Sequence, residues 1–292
     1  MQILTAVDQN PYSAHAVDEV ARLAANTWAN VDLLGVRQSS AAVSARSGVE
    51  DAAAAAILMD HRARFLSHFP PHDAPYRCRD AAVQELQHVG NGVYEMRSIA
   101  APASKVLTLR LRTGNTAREI VADARETQSD LIVLGCDPSG QCGWDGDDDI
   151  PRKVANEAPC SVLVVKRSEN VKRVVCCLDH DRVSQASLEM VNQMVTLHQA
   201  QLTIIGLVAH ATHSAEVEAK MARILSYYQA RHIDPRMELV NSAALDGFIA
   251  REAHWDLMAL WMGQPSFLKK IFPPSRIETL IRGGDASVLI LR

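Results

Sequence analysis

The stretch that decides the fold is Asp130-Leu131-Ile132-Val133-Leu134, preceded by Ala124-Arg125-Glu126 and followed by the apolar run Val162-Leu163-Val164-Val165. The same three pieces return as Ala250-Arg251-Glu252, Asp256-Leu257-Met258-Ala259-Leu260 and Val288-Leu289-Ile290-Leu291, each 126 positions on and without a gap. A second ungapped match joins the starts of the two halves at 171 positions. Val7-Asp8 meets Leu178-Asp179, Ser13 meets Ser184, Val20 meets Val191, and Leu33-Leu34-Gly35-Val36 meets Ile204-Ile205-Gly206-Leu207. The offsets differ by 45, the extra length of the first copy between Val36 and Ala124. Self-similarity at so long a period marks two whole domains rather than a solenoid.

Composition agrees with a duplication. A chain of 292 residues with 48% apolar content can fill two cores. The net charge of −4, with no Lys/Arg cluster, argues against a nucleic-acid surface. No apolar run approaches the roughly 18 residues of a membrane span. Met1-Gln2-Ile3-Leu4 reads directly into a strand, without the charged start of a signal peptide. The six cysteines show no framework spacing, which suits a reducing cytoplasm.

In chain order, Ile3 to Val7 is a short apolar strand ending at Asp8, and Gln9-Asn10-Pro11 is a turn signal. From Ser13, apolar residues at Ala14, Val17, Val20, Ala21 and Ala24 recur at helical spacing. Val31 to Val36 is the next strand, and a strand–helix–strand unit this tight favours parallel pairing. Glu50 to Phe69 reads as a helix stopped by Pro70-Pro71. Residues 72 to 103 are an embellishment in which Gln84 to Val89 and Val93 to Ile99 make either a hairpin or a helix and a strand. Lys105 to Arg112 alternates apolar and polar residues, as a strand near a sheet edge does. Asn115-Thr116 caps a helix to about Thr127. Asp130 to Gly135 is a buried-type strand, Cys136 to Asp149 a polar loop, Pro151 to Glu157 a short helix, and Ser161 to Val165 the last strand. The second copy repeats this with strands at Arg173–Leu178, Leu202–Val208, Met237–Val240, Asp256–Trp261 and Ser287–Leu291. Its helices fall at Val183–His198, Ala215–His232, Leu245–Ala253 and Arg276–Ile281. The domains are therefore 1–167, carrying the insertion at 72–103, and 171–292, each a five-strand doubly wound α/β layer structure.

Val7-Asp8, Gly114-Asn115-Thr116-Ala117-Arg118-Glu119-Ile120, Asp130 to Gly135 and Ala158-Pro159-Cys160-Ser161 with Val162 to Val165 resemble the universal stress protein family. The resemblance covers nearly the whole chain in tandem, apart from about 72 to 103, and the match of the first domain is the more specific. It implies two tandem Rossmann-like parallel sheets of strand order 3-2-1-4-5, in a cytoplasmic stress-linked protein of a kind that in some members binds ATP.

The ATP-binding members carry Gly, two residues, Gly, nine residues, then Gly-Ser or Gly-Thr. Small residues there let backbone N–H groups approach phosphate at a helix N-terminus. Gly135 stands at the first position, with Gly140 in the same loop, but Pro138 takes the second position. Counting back from the last strand puts Asp148-Asp149 at the Gly-Ser position. In the second domain Trp261 replaces the first Gly and Pro274-Ser275 replaces Gly-Ser. ATP is therefore not expected to bind tightly in either copy. Asp8 and Asp179 each end a first strand, at the switch point where doubly wound sheets bind ligands. In nucleotide-binding relatives this Asp faces the adenine; the plainer alternative is a carboxylate capping the following turn.

Other constellations compete. Asp145-Gly146-Asp147-Asp148-Asp149 lacks the Gly and distal Glu of a calcium loop and reads as solvated. Cys136 and Cys142 share a loop and Cys176-Cys177 lie in a strand, where buried thiols are common. His180, His210 and His213 follow neighbouring strands at one edge beside Asp179 and Asp181, so they could hold zinc or simply be loop histidines. There is no Gly-x-Ser-x-Gly elbow, P-loop or His-Glu-x-x-His.

The expected function is a tandem, non-catalytic stress-response or ligand-sensing module with a degenerate nucleotide site. The rivals are a weak ATPase or nucleotide-dependent enzyme using Asp8 and the acidic loop, and a zinc- or redox-responsive binder. The ligand-site residues expected are Asp8, Gly135, Gly140 and Asp179, and the metal candidates are His180, His210 and His213. An exposed apolar edge strand invites pairing, so Val162–Val165 and Val288–Leu291 are expected to face one another as an internal pseudo-dimer, with a further homodimer open.

Overall fold

Each apolar run noted above becomes a strand, because a run without polar interruption can be buried on both faces only in a parallel sheet covered by helices. A computed structural model describes residues 1–38, 47–70, 75–76, 86–90, 92–99, 105–139, 142–144, 149–167, 169–178, 184–208, 215–245, 247–248, 256–261, 274–282 and 284–292. The chain divides into two units, Met1–Ser168 and Glu169–Arg292.

In the first unit the described elements are β1 (Gln2–Ala6), α1 (Pro11–Asn26), β2 (Asn30–Arg37), α2 (Ser47–Ser67), β3 (Gln87–Gly90), β4 (Val93–Ile99), β5 (Val106–Thr113), α3 (Thr116–Glu126), β6 (Leu131–Gly135), α4 (Ile150–Glu157) and β7 (Ser161–Val165). Its strands run in the order β7-β6-β1-β2-β5-β4-β3. The first five are parallel, and β4 and β3 are added antiparallel. Ile3 and Leu4 of β1, Leu131 to Leu134 of β6 and the Val17, Val20, Ala21 and Ala24 face of α1 are fully buried.

The second unit holds β8 (Arg173–Leu178), α5 (Gln185–His198), β9 (Gln201–Val208), α6 (Ala215–Gln229), β10 (Arg236–Asn241), β11 (Leu257–Trp261), α7 (Pro274–Arg282) and β12 (Ser287–Leu291). Its order is β10-β9-β8-β11-β12, all parallel. Both units are thus Rossmann-like with the 3-2-1-4-5 core order. Of the helix expected over Leu245–Ala253, residues 246 and 249–253 lie outside the described residues. Among the described residues no helix is long and apolar enough to cross a membrane.

The repeated aspartates have a shared structural task. Asp130 Oδ2 accepts a hydrogen bond from the Gln2 backbone N–H at 2.8 Å. Asp256 Oδ2 accepts from the Lys172 and Arg173 N–H groups at 2.6 and 3.1 Å. In each unit the carboxylate entering the fourth strand accepts from backbone N–H at the start of the first and so helps tie it down.

One expectation is corrected. β5 is not near an edge: β2 pairs on one side and β4 on the other. The insertion forms the hairpin alternative, turning at Gly90 (φ 111°) and Gly92 (φ 72°), backbone angles that glycine adopts without strain. The polar half of the β5 alternation faces protein, not water: Thr108, Arg110 and Arg112 are all buried. Arg110 Nε donates to Asp123 Oδ1 at 2.9 Å and its Nη1 to Glu95 Oε2 at 2.5 Å. Arg112 donates to Asp123, Glu119 and Glu126 at 2.7–3.0 Å. α3 is thus seated on the sheet partly by charge. Removing one partner of such a network strands the other in low dielectric, which keeps the arrangement unique.

Asp32 of β2 belongs to the same face and is 4% exposed. Burial pushes its carboxyl up from 3.8 to about 6, with Asp123 adding to the effect and hydrogen bonds from Thr108 and Gln2 opposing it. A carboxyl whose folded value exceeds its unfolded one favours folding while protonated. That advantage fades as pH climbs through the interval between the two values and becomes a fixed penalty above it. Asp32→Asn should therefore stabilise the chain by about 2 kcal/mol at pH 8 and by little at pH 4. Thermal melts of both proteins at the two pH values check this, and an equal difference at both would contradict it.

Candidate functional site

The carboxyl ends of β1 and β6, adjacent strands from which the chain leaves in opposite directions, are the switch point of the first unit. Gly135 ends β6. A Cβ placed on it would lie 2.3 Å from the Tyr12 carbonyl oxygen, 2.6 Å from the Tyr12 carbonyl carbon and 2.9 Å from the Ser13 nitrogen. The first turn of α1 therefore rests directly on the end of β6, and glycine is there for want of room. Pro at the first turn of α1 suits this entry, since it has no N–H to leave unpaired.

Asp8 lies in the loop that this contact fixes. Its Oδ1 accepts from the Asn10 backbone N–H at 2.9 Å and the Ser13 hydroxyl at 2.6 Å. Its Oδ2 accepts from Asn10 Nδ2 at 2.5 Å and the Tyr12 hydroxyl at 3.3 Å. Ser13 Oγ in return accepts the Asp8 N–H at 3.1 Å, and His61 Nε2 of α2 stands 2.9 Å from the Asp8 carbonyl oxygen. The carboxylate is satisfied by its own loop, the capping alternative raised from the sequence.

Beyond Gly135 the chain returns over this ground. Cys136 and Cys142 are joined by a disulfide, their Cα atoms 4.7 Å apart, so the expectation of reduced cysteines without a framework is corrected. A loop that doubles back over a strand end brings a six-residue spacing within bridging distance. The Trp144 N–H donates to the Cys142 carbonyl at 2.7 Å. The Trp144 indole, 2% exposed, lies against Tyr12 with ring centroids 5.9 Å apart, and its Nε1 donates to the Gly135 carbonyl at 3.0 Å. Asn10 Nδ2 reaches the Gly143 carbonyl at 3.2 Å. Hydrogen bonds from the Ser139 side chain and backbone hold the Asp137 carboxyl below its usual value. At the family's Gly-Ser position, Asp149 Oδ1 accepts from Arg152 Nε at 3.1 Å, and Oδ2 from Arg152 Nη2.

Of the residues expected at the site, Asp8 and Gly135 are brought to one edge. Gly140, Asp179, His180, His210 and His213 lie outside the described residues. Among the described residues no group of three or more His, Cys, Asp or Glu could hold a metal ion. Sequence reasoning passed over Asn10, Tyr12, His61 and Trp144. An aromatic residue in a polar, Gly-rich loop was the available signal for Trp144.

The family model described as the universal stress protein family matches residues 1–166. The chain belongs to that family. A universal stress protein from Archaeoglobus fulgidus DSM 4304 is similar in structure, with a TM-score of 0.66 at 14% identity over 100% of this chain and 96% of that one. A functionally unknown protein from Pseudomonas aeruginosa PAO1 gives 0.57 at 12% identity, over 99% and 92%. The cytoplasmic domain of a prokaryotic cation chloride cotransporter gives 0.51 at 10% identity, over 99% and 94%. At these identities the likeness is one of fold. No curated protein matches the sequence.

Gly135→Ala should force β6 and α1 apart, because the atom it meets is backbone and cannot swing away. A loss of about 1–3 kcal/mol is expected, read as a lower melting temperature. An unchanged melt would mean that the contact relaxes freely.

Proposed function

We propose that this chain is a non-catalytic, ligand-sensing or stress-response member of its family whose first-unit nucleotide site has degenerated. The observation that carries this reading is the saturation of Asp8: its carboxylate takes four hydrogen bonds from Asn10, Ser13 and Tyr12, leaving no free acceptor for a base. The phosphate side supports it. Asp149, its carboxylate held by Arg152, stands where the family's Gly-Ser would offer small groups, Pro138 has no N–H to donate, and Trp144 fills ground beside Gly135. A triphosphate fits this set of residues poorly. Calorimetry with ATP and Mg²⁺ should find no binding tighter than about 1 mM. Micromolar binding that disappears in Asp8→Ala would reverse the reading and favour the nucleotide-dependent rival.

The pairing of edge strands belongs to the same proposal. β7 ends the order of the first unit and β12 that of the second, and each is apolar after its first residue, a serine. Edges of this kind are covered in stable proteins, and covering each other would give a pseudo-two-fold within one chain. Leu163→Asp or Leu289→Asp should then lower stability by about 1.5–3 kcal/mol each. Crosslinks that place the two strands far apart would rule the pairing out.

A further inference from the structure

We propose that the first unit is a thiol–disulfide sensor, in which the Cys136–Cys142 bond latches Trp144 over the ends of β1 and β6 and reduction releases it. This goes beyond the function proposed above and requires no ligand.

The two cysteines stand on opposite sides of the latch. Cys136 is part of the sheet edge, directly after Gly135, with its N–H donated to the Val165 carbonyl at 2.9 Å. Cys142 belongs to the returning chain, two residues before Trp144 and bonded to it through a carbonyl–amide contact of 2.7 Å. Fixing Cys142 therefore fixes the indole. Besides burial of the indole, the contacts on residues 142–144 include one hydrogen bond to Gly135, one tilted ring contact with Tyr12 and one side-chain bond from Asn10. The covalent link raises the effective concentration of all three by removing most of the freedom the returning chain would otherwise have. Without it those contacts oppose that freedom with no covalent constraint.

Cys160 is a partly exposed thiol just before β7, and the other two described cysteines outside the disulfide are poor rivals for this role. Cys176 and Cys177 are buried neighbours in β8, and burial pushes the Cys177 thiol up to about 12 and Cys176 upward as well. Little thiolate forms there.

The chemistry is ordinary exchange with a dithiol reductant. One thiolate of the reductant attacks a sulfur of the Cys136–Cys142 bond, forming a mixed disulfide and expelling the other cysteine as thiolate. The second thiolate of the reductant then attacks the mixed disulfide, releasing the remaining cysteine. Two electrons pass to the protein, the reductant leaves as its own disulfide, and the cysteine thiolates take up protons from water. Both cysteines are fully buried, so attack proceeds through local opening, and the reduction rate reports how often residues 142–144 lift.

Hydrogen exchange of the full chain, followed by mass spectrometry before and after dithiothreitol, tests the latch. Exchange in the peptide containing Gly143 and Trp144 should rise about tenfold or more on reduction. The paired variant Cys136→Ser/Cys142→Ser should match the reduced protein with no reductant present; reduced wild type carries the test if that variant does not fold. Trp144→Ala should speed reduction by about tenfold, followed by differential alkylation at Cys136 and Cys142. Unchanged exchange on reduction would overturn the proposal. So would free thiols at both positions in air-oxidised protein.

Discussion

The first unit depends on one close approach: the backbone of Tyr12 and Ser13 against the end of β6 at Gly135. It fixes where α1 begins, and the start of α1 fixes the Asp8 loop through Ser13 and Tyr12. It also leaves the Gly135 carbonyl beside Tyr12, where Trp144 can bond to one and pack on the other. A methyl group at residue 135 would disturb all three. Packed backbone offers no rotamer through which the added volume could escape.

Charge settles what apolar packing leaves undecided on the opposite side of the same sheet. α3 meets the sheet through Arg110 and Arg112, with Asp123, fully buried, between them. Apolar surface would accept a helix in several registers, because burial is nearly non-directional. Two guanidinium groups converging on one carboxylate accept one register. The hairpin of β3 and β4 contributes as well, since Glu95 supplies a second acceptor to Arg110. The insertion thus completes the ionic network of the core it is added to.

Much of this was legible in the sequence, for a physical reason. Continuous apolar runs such as Leu131 to Leu134 suit strands buried on both faces of a covered parallel sheet, so the strands could be read directly, while their order followed from the family resemblance. Lys105 to Arg112 was read as lying near an edge because its polar alternation carries no sign of what faces it. Water and a buried carboxylate satisfy an arginine equally well on paper. Asp8 was legible as a position, yet its role turned on which donors reach it, and Asn10, Tyr12 and Ser13 are too ordinary to announce that. The bond between Cys136 and Cys142 depended on the path of the loop, which pairwise spacing alone does not contain.

The duplication shows the same constraint from the other side. By the repeat offset, Trp261 at the end of β11 stands where Gly135 ends β6. An indole cannot share space with the first turn of a helix, so the close approach made in the first unit is closed to the second. The helix that corresponds to α1 is α5, and it starts later. α1 begins at Pro11, whose counterpart is Arg182, whereas α5 begins at Gln185, the counterpart of Ala14. Its cap is Ser184, the counterpart of Ser13, which accepts a bond from the Ser187 N–H at 3.1 Å. The two helix starts differ by nearly a turn, and the serine at the repeated position caps a helix in one copy and braces a carboxylate in the other.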